Sequence, residues 1–373
     1  MEQLGFEGMP RRLYTCTPTR LTTWLDCPRR YRMGYLDRPA PPKGPPWAHN
    51  SLGASVHNAL AGWWRLPLPR RTAHAAGALL QQGWINEGYA SDDQSAKYRD
   101  WARQLVEGYA AGLDPADEPV GVERTVATRT DVIAVSGRID RLDARPSDGG
   151  GTELVVVDYK TGRHVLSVDD ARSSLALAIY AIAAARVLRR DCRRVELHHL
   201  PTGQVFGWDH TPESLQRHLR RAEDVATECA DADERMRAPL AADSYDEVFP
   251  PRTSPGCGWC DFLRHCPEGQ AAAVSRRPWD GLAELLRRCA VRFRSRPELR
   301  QGVGCGRGGF DVGVMCCPGD AELLGAQAGG HFCLRRGGPG VVVFAVEDQR
   351  RDVPRGQCLG FVACRKQIAR HRD

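Results

Sequence analysis

The chain has 373 residues, 42% of them hydrophobic, with 52 Lys and Arg against 46 Asp and Glu for a formal charge of +6. That apolar content supports a packed core and excludes a wholly disordered chain. No run of about 18 apolar residues occurs, which excludes a membrane-spanning helix, and the modest charge permits a polyanionic partner without requiring one.

Residues 1–16 contain no apolar signal segment and read as a flexible lead-in, so a cytoplasmic protein is expected. Residues 17–36 predict one amphipathic helix, capped by Thr17 or Thr19, with Leu21, Trp24 and Leu25 at helical spacing. Pro39–Pro46 is a proline-rich linker. A second helix is expected from Ser51 to Trp64, and residues 70–113 read as helical throughout.

Gly121–Asp143 then alternates as strands do, and Leu154–Asp158 is a β-branched run suited to a buried strand, with Ser147–Gly151 as a hairpin turn between them. An apolar helix over 169–189, strands at 194–200 and 205–208, and a charged helix over 212–236 complete the domain. The expected fold class is α/β: a small mixed sheet flanked by helices, with a helical elaboration. The domain is placed at 17–284. Residues 285–373 form a tail in which Gln301–Gly340 is about one-third glycine; it is expected to be poorly ordered, apart from a strand at Val341–Val346.

The sharpest local signal is VVVDYKTGR, Val155–Arg163, preceded by GRIDRLD, Gly137–Asp143. On a strand, Asp158 and Lys160 point to one side and Tyr159 to the other. A carboxylate leaving a buried strand beside a lysine can hold a divalent cation and place an ammonium near a phosphate or attacking water. Antiparallel pairing of the two segments would bring Asp140 to the same point. Hard oxygen ligands there favour Mg²⁺ or Mn²⁺. An isolated D-x-K is more often a surface ion pair; here its setting argues for more.

Cysteine is the second signal. Among 14 cysteines, Cys257, Cys260 and Cys266 form C-x2-C-x5-C-P, and Cys27 precedes Pro28 about 230 residues upstream. In a reducing compartment such spacing points to metal rather than disulfides. Four thiolates suit zinc or [4Fe–4S] equally on chemistry alone. Cys192, Cys229 and Cys289 sit singly and read as packing residues.

In order, Gly137, Asp140, Arg141, Asp143, Asp158, Lys160, Thr161 and Gly162 resemble the catalytic motifs of the RecB-like branch of PD-(D/E)XK nucleases, G-x-x-D-R-x-D followed by a strand ending D-x-K-T-G. The resemblance extends to LGASVHNAL, which is similar to the family's G-x-x-x-H helix, and to SSLALAIYA, which is similar to its Q-x-x-x-Y helix. It spans roughly residues 17–284.

This resemblance implies a restriction-endonuclease-like core. It implies metal binding by His57, Asp140 and Asp158, with Lys160 activating or orienting water, and Glu123 is a weaker acidic candidate. The cysteine arrangement is similar to the iron–sulfur staple of some members, which implies a [4Fe–4S] cluster on Cys27, Cys257, Cys260 and Cys266. Tyr180 matches its motif, but Ala176 stands where the family carries glutamine. The implied activity is exonucleolytic hydrolysis of single-stranded DNA ends in repair or recombination. The alternative is an inactive nuclease fold that grips DNA beside a helicase partner. Arg29, Arg30, Arg32, Arg138, Arg141 and Arg163 could hold phosphates, with Trp24, Tyr31 or Tyr35 stacking on bases, and Tyr180 is a further DNA-binding candidate. No phosphate-loop motif occurs, so this chain is not itself the helicase motor.

Overall fold

The computed structural model describes residues 13–147, 150–162, 165–237 and 244–282, together with the backbone of two strands at 330–336 and 341–347. The chain divides into two units, Met1–Cys289 and Ala290–Asp373.

The first unit is built on a six-stranded mixed sheet. Strand β1 (Tyr14–Cys16) leads into helices α1 (Pro18–Asp26), α2 (Pro28–Tyr35), α3 (Ala48–Trp64), α4 (Ala73–Gln82) and α5 (Asp92–Ala110). Strands β2 (Gly121–Arg129), β3 (Ile133–Pro146) and β4 (Thr152–Lys160) follow as an antiparallel meander. Helices α6 (Val168–Ser173) and α7 (Leu175–Leu188) then cross over to β5 (Cys192–His199), which pairs parallel with β4. Strand β6 (Gln204–Asp209) closes that edge, and α8 (Pro212–Arg235), α9 (Ser244–Val248) and α10 (Pro267–Ala272) end the unit.

Helix counts differ from the sequence expectation for local reasons. The helix expected over 17–36 is two, because Pro28 has no N–H to donate and forces Cys27 into extended backbone at φ −164° and ψ 111°. The segment 70–113 is likewise two helices: Gly83 ends α4, and Ser91 starts α5 by accepting from the Gln94 N–H. Ser174 divides 169–189, its side chain capping the Leu177 N–H at 3.3 Å. Each break falls at a polar, glycine or proline position inside an otherwise helical pattern.

Strand alternation sorts the core into layers. Val155, Val157 and Tyr159 of β4 pack beneath α3, α4 and α5. Leu154 and Val156 face Leu177, Ala181 and Ala184 of α7 on the opposite side. The result is a mixed sheet flanked by helices, the restriction-endonuclease-like arrangement. Among the described residues no helix is long and apolar enough to cross a membrane.

The second unit contains an antiparallel pair, β7 (Gly330–Arg336) and β8 (Val341–Glu347). Strand β8 falls where the valine run predicts one, whereas β7 carries no alternation that would announce it. The expectation of poor order elsewhere in 285–373 concerns residues outside the described ones; of the flexible lead-in expected over 1–16, residues 1–12 lie outside them, but Tyr14–Cys16 form strand β1, paired with β3.

Candidate metal centre

Long strand β3 creates the opening for the site. On one edge Ala134–Leu142 pair with β2; on the other, Ile133–Val135 meet β1 and Arg141–Pro146 meet β4. Between those two segments that edge has no strand partner among the described residues, and Asp140 stands at its end, beside the C-terminal end of β4. The β2–β3 register places Glu123 opposite Asp140, between the pairs Val122↔Arg141 and Arg124↔Ile139. Extending the β3–β4 register one step past Arg141↔Val157 places Asp140 opposite Asp158. Three carboxylates thus lie in one row across three strands.

Helix α3 supplies the histidine. Gly53 and His57 are one turn apart and share a face; a Cβ at Gly53 would stand 3.3 Å from Thr161 Oγ1, so glycine lets the helix settle against the loop after β4. His57 Nε2 donates to the Tyr159 carbonyl at 3.0 Å. The neutral ring therefore keeps its lone pair on Nδ1, which faces Asp140 Oδ2 at 3.3 Å. Asp140 Oδ2 also accepts from the Tyr159 N–H at 2.9 Å.

Among the described residues, His57, Glu123 and Asp140 bring three ligand atoms within 4.8 Å of one another. Glu123 adopts φ +50°, an uncommon left-handed conformation for a residue with a side chain. Such outliers cost on the order of 1–3 kcal/mol and gather at functional sites.

Asp158 and Lys160 share a strand face as expected, with Nζ 2.6 Å from Oδ2. The ion pair holds a largely buried carboxylate against a half-exposed ammonium. Burial raises the Asp158 pKa, and the Asp140 charge adds to it against the opposing pull of Lys160. Burial also raises the pKa of Glu123, with Arg138 opposing. For His57 burial acts downward, but the hydrogen bond and charge of Asp140 and the charge of Asp158 outweigh it and raise the pKa. Crowded, partly desolvated carboxylates around a histidine lone pair fit a hard divalent cation, which would relieve their repulsion.

Tyr180 of α7 lies across Gly137: a Cβ there would sit 2.3 Å from Tyr180 Cε1. Burial, followed by the charges of Asp158 and Asp140, raises its pKa and keeps the phenol protonated. Ala176, one turn earlier on the same helix, has no hydrogen-bonding side chain to add. Glu123, a weaker acidic candidate in the sequence, lies with His57 and Asp140 in this cluster. A glutamate facing Asp140 across a hairpin is recognisable only once the β2–β3 register is known.

Each of the four cysteines sits at a turn or a helix end. Cys27 lies between α1 and α2, Cys257 and Cys260 in and after a 3₁₀ turn (Pro255–Trp259), and Cys266 caps α10. Backbone N–H groups of Arg252, Ser254 and Gly269 point at Cys27, Cys257 and Cys266 Sγ at 3.5, 3.4 and 3.3 Å. Burial raises the pKa of the Cys260 thiol, with the Phe262 backbone and Arg30 opposing. No three of these sulfurs close to the 4.8 Å spacing found at His57, Glu123 and Asp140.

The phosphate-contact expectations need correction at several positions. Arg141 is 3% exposed; it pairs with Asp143 at 2.9 Å and lies over the Trp64 ring, so its guanidinium faces the core and not a DNA backbone. Arg29, 5% exposed, pairs with Asp246 and Glu268 and donates to Cys266 Sγ. Trp24 and Tyr31 are buried and cannot stack on bases. Arg30 is half-buried, and its charge opposes the burial that raises the Cys260 pKa. Arg138 is well exposed, and Arg163 lies outside the described residues.

Residues 15–267 match the family profile described as the PD-(D/E)XK nuclease superfamily. No curated protein matches the chain. Among solved structures, the protein SSO0001 is 15% identical, with 69% of this chain and 88% of that one covered and a TM-score of 0.33. A candidate exonuclease from Eubacterium rectale is 12% identical, with 58% and 91% covered and a TM-score of 0.28.

Proposed function

This chain belongs to the PD-(D/E)XK nuclease superfamily, whose members are metal-dependent nucleases, and from that premise we propose that it trims single-stranded DNA ends as a RecB-like exonuclease in repair or recombination. The row of Glu123, Asp140 and Asp158 beside His57 Nδ1 carries this reading. His57, Asp140 and Asp158 would hold Mg²⁺ or Mn²⁺, with Glu123 as a fourth ligand. When bound, the cation supplies Lewis-acid polarisation of the scissile phosphate.

The remaining work falls to the chain's own groups. Tyr159 orients two ligands through its backbone, its N–H fixing Asp140 and its carbonyl fixing the His57 tautomer. Lys160 is 44% exposed, so its ammonium can leave Asp158 and face the attacking water or the developing phosphate charge.

Four cysteines with N–H donors aimed at three of them fit an anionic cluster, and we assign Cys27, Cys257, Cys260 and Cys266 to a structural [4Fe–4S] cluster. The cluster would close a loop of over 200 residues, where the entropic return is large. A helicase supplying unwound ends is the partner class this activity calls for.

The test is cleavage of end-labelled single- and double-stranded DNA with Mg²⁺ or Mn²⁺. Wild type should shorten single strands from an end. Asp158→Ala and Lys160→Ala should bind DNA and fold but not cut. Undiminished cleavage by purified Asp158→Ala protein would remove the catalytic assignment.

A further inference from the structure

The metal centre is surrounded by the chain's own cations, and two of them sit on its carboxylates. Lys160 sits against Asp158, while Arg138 Nε lies 2.7 Å from Glu123 Oε2. The second pair is the unusual one. Arg138 and Asp140 are two apart on β3 and share a strand face, and Glu123 stands opposite Asp140 on β2. The Arg138 side chain is 69% exposed whereas that of Glu123 is 15% exposed, so the guanidinium reaches inward from solvent to a carboxylate held in a left-handed backbone conformation.

Glu123 therefore has two competing partners: Arg138, or a cation shared with His57 and Asp140. An ion pair whose arginine stands in solvent is weak enough to exchange readily. A planar, always-charged guanidinium at the mouth of the site is in turn well suited to a phosphodiester, which it can bind through two parallel N–H donors.

We propose that Arg138 is a substrate-binding residue held in reserve, paired with Glu123 until that carboxylate takes a divalent cation, and then gripping a DNA phosphate beside the scissile bond. This rests on reading the His57, Glu123 and Asp140 cluster as the metal centre of a nuclease. Metal binding and DNA binding would then be coupled through one side chain, with Glu123 exchanging partners as Arg138 turns outward.

The experiment uses the full chain. Mn²⁺ affinity is measured without DNA by the electron-paramagnetic signal of free Mn²⁺, and KM and kcat are measured on end-labelled single-stranded DNA. Arg138→Gln should bind Mn²⁺ about two- to five-fold more tightly, the range expected when a competing exposed ion pair is removed. Its KM for DNA should rise several-fold with kcat little changed, and Arg138→Lys should recover only part of that loss. Arg65→Gln controls for charge alone, since Arg65 also favours the Glu123 carboxylate but makes no ion pair with it. Its Mn²⁺ affinity should change less.

Unchanged Mn²⁺ affinity in Arg138→Gln, or a change no larger than that of Arg65→Gln, overturns the exchange. An unchanged KM overturns the phosphate contact. Wild-type Mn²⁺ affinity in Asp140→Asn would instead overturn the metal centre itself, and both readings with it.

Discussion

Gly137 is the position where backbone, neighbouring helix and candidate site meet most tightly. A methyl group there would come 2.3 Å from Tyr180 Cε1 and 3.1 Å from Cζ and the hydroxyl oxygen. That is about 1 Å short of ordinary van der Waals contact, so Gly137→Ala must push the ring aside or bend β3. Overpacking of this kind costs roughly 1–3 kcal/mol. With roughly 2–4 °C per kcal/mol for a domain of this size, melting should fall by roughly 2–12 °C.

The penalty should vanish once the ring is removed. In a Tyr180→Ala background, Gly137→Ala should be neutral or stabilising by up to about 1 kcal/mol, because alanine suits a strand interior better than glycine. Thermal denaturation of the four proteins closes the cycle. Since Asp140 is three residues along β3, the single variant should also lose cleavage, on the order of a hundredfold for a displacement near 1 Å. Equal melting shifts in both backgrounds, or none in either, would refute the close approach of Tyr180 to Gly137.

Two further outcomes are expected. Anaerobically purified protein should be brown, and Cys27→Ser should lose iron as fully as Cys260→Ser; stoichiometric zinc, or iron retained in Cys27→Ser, would reject the cluster or its staple. The raised His57 pKa contributes stability to the metal-free fold that is complete below the unfolded value near 6.5 and is lost as pH rises through the higher folded value. A ligating His57 must be neutral, so the Mn²⁺-induced rise in melting temperature should grow from about pH 6 to pH 8. That growth should flatten in His57→Gln; a pH-independent rise would exclude His57 as a ligand.

Much of this molecule is legible in its residues because the relevant patterns are local. Asp158 and Lys160 share a face by the two-residue period of a strand, and a valine run announces that the strand is buried. Gly53 and His57 share a face by the helical period. The layered α/β order follows from where one period gives way to the other. The helix breaks at Cys27–Pro28, Gly83 and Ser174 were also written locally, in proline, glycine and capping chemistry, but a continuing apolar pattern on both sides masked them.

What tertiary structure alone decided is register and burial. Glu123 became part of the site because β2 pairs with β3 so that it faces Asp140, and a slip of one residue would have turned it away. The same pairing set Arg138 against Glu123. Arg141 and Arg29 look like phosphate ligands in a string of letters, since an arginine beside a catalytic motif carries no mark of which way it points. Folding buried Arg141 over Trp64, where Asp143 two residues along satisfies its charge, and Arg29 beside Cys266, where Asp246 and Glu268, more than 200 residues away, do so. Periodicity tells a side chain's face relative to its own element; only the packing of elements on one another tells what that face meets.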